Sequence, residues 1–238
     1  MTPAAPASVP APDTEEVAPE PLARTDRRRL AAAFVPYVLL AIVHLVVIQV
    51  GDAAAITATK LLLMPALAVA VLLARPSRGV ALGLLLAAIG LSWGGDALLT
   101  GRGDGWFVAG LLSFLAAHVA YVVLFLRLPA NGRRLPWWTL AYGVWFAGFL
   151  ALLAPGLGGL LVPVVVYGLV LGAMAALAGG LGGLVALGGA LFVASDSVLA
   201  LGRFLPGYDV AVHDLVVMST YLAAQGLIVL GVLTRHVR

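Results

Sequence analysis

AAAFVPYVLLAIVHLVVIQV, residues 31–50, runs for twenty positions without a charged side chain. Twenty residues is what an α-helix needs to cross the hydrocarbon core of a bilayer. The rest of the chain repeats the pattern. Of 238 residues, 62% are hydrophobic and 11% charged, with mean hydropathy +1.07. A soluble domain has about a quarter of its residues charged, so too few charges remain here to coat a water-soluble globule. The fold class expected is all-α and polytopic. Beyond residues 31–50, seven more spans are expected at about 57–74, 79–100, 105–126, 136–154, 157–178, 181–202 and 213–233. Turn chemistry marks most joints: Gly51-Asp52, residues 75–77, 101–105, 129–136, Pro155-Gly156 and Pro206-Gly207. The joint at 179–183 carries no charge at all.

Residues 1–30 read differently. They hold six of the 14 prolines and five of the 11 acidic residues, a composition that buries little and is expected to form a disordered cytoplasmic tail. Residues 31–238 are expected to form the eight-helix membrane domain. With the N-terminus inside, eleven arginines fall on the cytoplasmic side and only Arg102 and Arg203 outside, with Lys60 left in a span. That positive-inside bias places both termini in the cytoplasm. The basic pI of about 9.6 therefore reads as topology, not as a nucleic-acid surface. There is no cysteine, which excludes disulfides, thiolate catalysis and cysteine-based zinc sites. Gly-xxx-Gly spacings at Gly79/Gly83, Gly90/Gly94 and Gly168/Gly172 are expected to serve helix packing. No Gly-Lys-Ser/Thr follows a glycine cluster, so a phosphate loop is not expected.

Asp or Lys at the centre of a span costs about 2.5–3.5 kcal/mol on insertion scales. Lys60, Asp96 and Asp196 bear that cost. In the eight-span arrangement each aspartate lies one to two turns from the outer end, roughly 6–9 Å, and Lys60 lies at a similar level. Three segments thus deliver ionisable groups to one slab of the membrane. Asp96 and Asp196 are each followed by a tyrosine 25 residues on, Tyr121 and Tyr221, and each Asp helix ends in Gly-Arg. Two four-helix halves of the same orientation would explain the repetition. Phe114, His118, Tyr121 and Phe125 form one helical stripe, and Asp214, Met218, Tyr221 and Gln225 another. Interhelical hydrogen bonding by these side chains, worth about 0.6 kcal/mol each, is the plain alternative to a functional role. For Lys60 and the aspartates the plain alternative is a buried ion pair holding helices in register. One lysine cannot neutralise two carboxylates, however. His44 reads as packing or a local hydrogen bond, and His213 and His236 lie at interfaces.

Five segments together carry a resemblance: KLLLMP (60–65), GDALL (95–99), the stripe at 114–121, GALFVASDSVLA (189–200) and YLAAQGLIVLG (221–231). Over about residues 35–233 the chain resembles the lysoplasmalogenase-like (YhhN-like) family of membrane proteins. Where that family often shows Lys-Pro, this chain has Lys60-Leu61. The resemblance implies eight transmembrane helices and hydrolysis of the vinyl ether bond of a lysoplasmalogen. The products are a fatty aldehyde and glycerophosphoethanolamine or glycerophosphocholine. It implies a lysophospholipid substrate and no redox cofactor.

Such chemistry needs a carboxylic acid that keeps its proton and a carboxylate that steadies the oxocarbenium ion and guides water, as glycoside hydrolysis does. Asp96 and Asp196 are the expected pair, with the acid not distinguished from the carboxylate. Lys60 is expected to hold one aspartate ionised or to bind the lipid phosphate. His118, Tyr121, Ser195, Ser197, Tyr221 and Gln225 are expected in support. An ion-coupled transporter using the same aspartates is the alternative, and a non-catalytic scaffold a further one. A metal hydrolase would need His44, His118 and His213 at one depth, and no metal is expected.

Overall fold

The computed structural model describes residues 24–128 and 135–236, and these are helical almost throughout. Eight α-helices follow in order: α1 (Arg24–Val50), α2 (Ala53–Leu73), α3 (Val80–Leu98), α4 (Asp104–Arg127), α5 (Leu140–Leu157), α6 (Leu161–Leu181), α7 (Gly183–Phe204) and α8 (His213–His236). The chain is an all-α polytopic membrane protein. The helix boundaries follow the turn signals. Gly51, at φ +83°, ends α1, and the Asp52 side chain accepts from the Ala54 amide at 3.2 Å to cap α2. The uncharged joint near residue 182 is real, with Gly182 and Gly183 at φ +72° and +57°. Without a Cβ they take left-handed conformations that reverse the chain within one residue. Residues 1–23, most of the expected tail, lie outside the described residues. α1 begins at Arg24, seven residues ahead of the expected start.

The span count differs from the expected eight. Seven stretches are long and apolar enough to cross a membrane, because Trp137–Leu181 forms one 45-residue helical stretch with no polar loop. The turn inside it, Gly158–Leu160, is a single 3₁₀ turn of Gly and Leu, which carries no charge to mark it. Gly158 at φ +49° breaks the α-helical path. A Cβ on Gly168 would meet the Phe146 ring at 2.6 Å, and one on Gly179 would meet Trp138 at 2.7 Å. Straight helix would part Trp138 from Gly179 by roughly 60 Å. α5 therefore folds back on α6.

Helices α1, α2, α3, α4, α6, α7 and α8 pack in a ring of neighbours, and α5 packs on α6 and α7 at its edge. Their inward faces supply the core, including Leu67, Ile89, Tyr121, Met174, Phe192 and Ile228. Large apolar side chains such as Leu39, Ile42 and Val46 of α1 face outward, as a lipid-facing surface requires. Close packing falls on glycines other than most of those expected. Gly79, Gly83, Gly90 and Gly172 have open space where a Cβ would be. Gly188 lies against α8, where a Cβ would come within 2.7 Å of Ile228 and 2.9 Å of the Ala224 carbonyl oxygen. Gly95 sits under the Phe114 ring. Spacing alone does not say which face of a helix meets a neighbour.

Candidate functional site

Proline shapes the first part of the site. Pro65 has no amide hydrogen, so the carbonyl of Leu61, one turn back in α2, loses its helical donor. The Trp93 indole N–H fills that vacancy at 2.9 Å. This bond ties α2 to α3 one residue from Lys60 and three from Asp96. The Lys60 Nζ then lies 3.6 Å from Asp96 Oδ1, with both side chains largely withdrawn from solvent. The other carboxylate oxygen, Oδ2, accepts from the Tyr221 hydroxyl of α8 at 2.8 Å. Tyr221 is held in turn by edge contacts with Phe114 and Phe192, at ring separations of 5.9 and 5.5 Å.

Asp196 is furnished differently. Its Oδ2 accepts a short hydrogen bond from the Tyr167 hydroxyl of α6. No lysine or arginine forms an ion pair with it among the described residues. Asp96 and Asp196 nevertheless line one cavity, together with Lys60, Tyr167, Ser195 and Tyr221. Its cavity volume is about 100 Å³. The polar groups come from α2, α3, α6, α7 and α8. The opposite wall is apolar and built largely from α5 and α6, with Trp145, Phe146, Phe149, Leu150 and Leu171. The cavity is thus two-natured, with a cluster of acid, amine and phenol facing a long greasy wall.

The supporting residues separate into those that reach the cavity and those behind it. Ser195 and Ser197 line it, with their hydroxyl hydrogens donated to the carbonyls of Val217 and Val193 at 3.0 and 2.6 Å. Tyr121 and Gln225 do not line it. The Tyr121 hydroxyl donates to Gln225 Oε1 at 2.5 Å, and Gln225 Nε2 donates to the Ser92 hydroxyl at 2.9 Å. That buried chain braces α3, α4 and α8 beneath Tyr221. His118 also stands behind the cavity wall. Its ring packs edge-on against Tyr167 and Phe192, 5.2 and 4.7 Å away, and neither nitrogen has a hydrogen-bond partner among the described residues. His118, Tyr121 and Gln225, expected in support, thus stand behind the groups that line the cavity. His44 bonds Thr59 at 2.7 Å, the local partner expected of it. His213 lies beside Tyr208, away from both, so the three histidines share no site.

Sequence reasoning missed Tyr167, Ser92 and Trp93. The repeat linked Asp196 to Tyr221, yet Tyr221 serves Asp96 and Tyr167 serves Asp196. A signal for Tyr167 existed, since it is a lone phenol in the apolar run LVPVVVYGLVLG (161–172). A buried tyrosine hydroxyl needs a partner, and in lipid that partner must come from another helix.

The chain is 36% identical over 188 residues to a lysoplasmalogenase of Mycobacterium tuberculosis, covering 74% of this chain and 69% of that one. It is 35% identical over 153 residues to mouse lysoplasmalogenase TMEM86B, covering 63% of each chain. Human lysoplasmalogenase TMEM86A is 33% identical over 173 residues, 67% of this chain and 68% of its own. The match to the mouse relative thus spans a little under two thirds of its length. No solved structure matches the chain. The YhhN family profile matches residues 55–232, which contain every polar group of the cavity, and the chain belongs to that family.

Proposed function

We propose that this chain hydrolyses the vinyl ether bond of a lysoplasmalogen, with Asp196 as the proton donor and Asp96 as the carboxylate. The observation that carries the reading is the unequal pairing of two aspartates on one cavity: Asp96 with Lys60, Asp196 with a phenol and, among the described residues, no ion pair. An ammonium within ion-pair distance favours the charged form of Asp96, whereas Asp196 buried without one favours the neutral acid. Asp196 delivers its proton to the outer alkene carbon, and the adjoining carbon becomes an oxocarbenium ion. Water adds there and gives up a proton, which restores the acid by way of the carboxylates. The hemiacetal then breaks its bond to the glycerol oxygen, leaving a fatty aldehyde and glycerophosphoethanolamine or glycerophosphocholine. One water is consumed and no electrons are exchanged. The wall of Trp145, Phe146 and Leu171 suits the alkenyl chain.

The same reading takes α5 and α6 as separate crossings, eight in all, and puts both termini in the cytoplasm by the arginine bias. The test is mass spectrometry of aldehyde from purified protein given 1-alkenyl lysophospholipid. Wild type forms aldehyde, and Asp96→Asn and Asp196→Asn each do so about 10²–10⁴ times more slowly. Proton flux in liposomes that depends on the aspartates, without aldehyde, would make the chain a transporter instead.

A further inference from the structure

At one membrane face α3 ends, α4 begins and α7 ends, so Gly101, Gly103, Phe107 and Arg203 meet in a small pocket. It shares Leu99 and Phe107 with the aspartate cavity, and the two are therefore adjoining chambers. The Arg203 guanidinium pairs with the Asp104 carboxylate and stands 5.1 Å over the Phe107 ring. Both charged side chains keep access to the outside, at 41% and 77% exposed. The chamber thus presents a cation and an aromatic face, with the Asp104 carboxylate paired to that cation, and none of these holds the aspartate pair.

Resting on the function proposed above, we propose that this chamber is the subsite for a zwitterionic phosphodiester head group. Arg203 takes the phosphate, and Asp104 with Phe107 takes the ammonium of ethanolamine or choline. The chemistry matches at each point. Guanidinium binds phosphate through paired N–H donors. A carboxylate and an aromatic face are what an alkylammonium seeks. Exchanging the internal Arg203–Asp104 pair for a bound zwitterion keeps every charge matched.

Spacing supports the assignment. Arg203 follows Asp196 by seven residues, two turns of α7, which sets it on the same helix face about 10.5 Å further along. Side chains on a helix lean toward its N-terminus alike, and arginine, longer than aspartate, has the reach to shorten the gap. In a 1-alkenyl lysophospholipid five bonds separate the ether oxygen from phosphorus, roughly 6 Å when extended. A lipid with its ether at Asp196 therefore lays its phosphate near Arg203. In this assignment Lys60 stays with Asp96, and Arg203 takes the phosphate role that was one of the two expected of Lys60.

Binding without turnover tests this. The probes are a 1-O-alkyl lysophosphocholine, whose saturated ether is not open to alkene protonation, and the corresponding 1-O-alkylglycerol, which lacks the phosphate. Arg203→Gln is expected to weaken the lysophosphocholine about tenfold, the effect of one charged hydrogen bond, and to leave the alkylglycerol unchanged. Arg203→Lys should recover part of the loss. Asp104→Asn should weaken lysophosphocholine relative to a lyso-lipid with a bare phosphate. Equal weakening of both probes by Arg203→Gln, or of neither, overturns the proposal. Since Arg203 joins α4 to α7, the melting temperature of each variant is read alongside, and the alkylglycerol arm reports whether the cavity survives. Failure of wild type to release aldehyde from alkenyl lipid would defeat the catalytic reading while leaving this binding comparison intact.

Discussion

Asp96 and Asp196 stand 100 residues apart, each followed within seven residues by Gly-Arg and, 25 positions on, by a tyrosine. Their surroundings in the folded chain do not match. Asp96 has a cation from α2 and a phenol from α8, one on each oxygen. Asp196 has a phenol from α6 and no ion pair among the described residues. Two aspartates with similar sequence markers have been given two electrostatic settings by helices that arrive from elsewhere. Acid and base can thus be made from one residue type when the neighbours, not the acid itself, set the charge.

The comparison breaks most visibly if the two carboxyls are removed in turn. Asp96→Asn and Asp196→Asn should each lower kcat by about 10²–10⁴, and the double variant little further, because the residues act as a unit. An aspartate whose loss leaves kcat within tenfold would not belong to the pair. Next in size is Lys60→Met, which strands a buried carboxylate and should cost about 3–5 kcal/mol in an unfolding measurement. Adding Asp96→Asn should restore most of that loss, and adding Asp196→Asn should restore none. Tyr221→Phe and Tyr167→Phe sharpen the contrast further. Each should cost about 1 kcal/mol, with the first effect vanishing in an Asp96→Asn background and the second in Asp196→Asn. Smallest is Trp93→Phe, at about 0.5–1 kcal/mol. Its effect should disappear when Pro65→Ala gives the Leu61 carbonyl back a helical donor.

Much of this was legible in the chain. Apolar runs located the helices because lipid allows little else to cross it. Lys60, Asp96 and Asp196 announced themselves by their cost in a span, and all three meet at the cavity. The stripe of Phe114, His118, Tyr121 and Phe125 does face inward. The turn between α5 and α6 falls at Gly158–Leu160, just past the Pro155-Gly156 joint marked in the sequence. What escaped was pairing between helices. Tyr167 is neutral and sits among valines, so its pairing with Asp196 depends on how α6 packs against α7, which helical periodicity does not encode. The place of Trp145 and Phe149 on the cavity wall depends in the same way on how α5 packs.

The central claim is that a protein carboxylic acid protonates the alkene carbon of a vinyl ether. Carrying out the reaction in D₂O and weighing the aldehyde by mass spectrometry tests it directly. The account predicts one deuterium on the carbon next to the carbonyl, with Asp196→Asn suppressing the labelled product by at least about a hundredfold. Aldehyde free of deuterium, or labelled aldehyde formed at wild-type rate by Asp196→Asn, would contradict it.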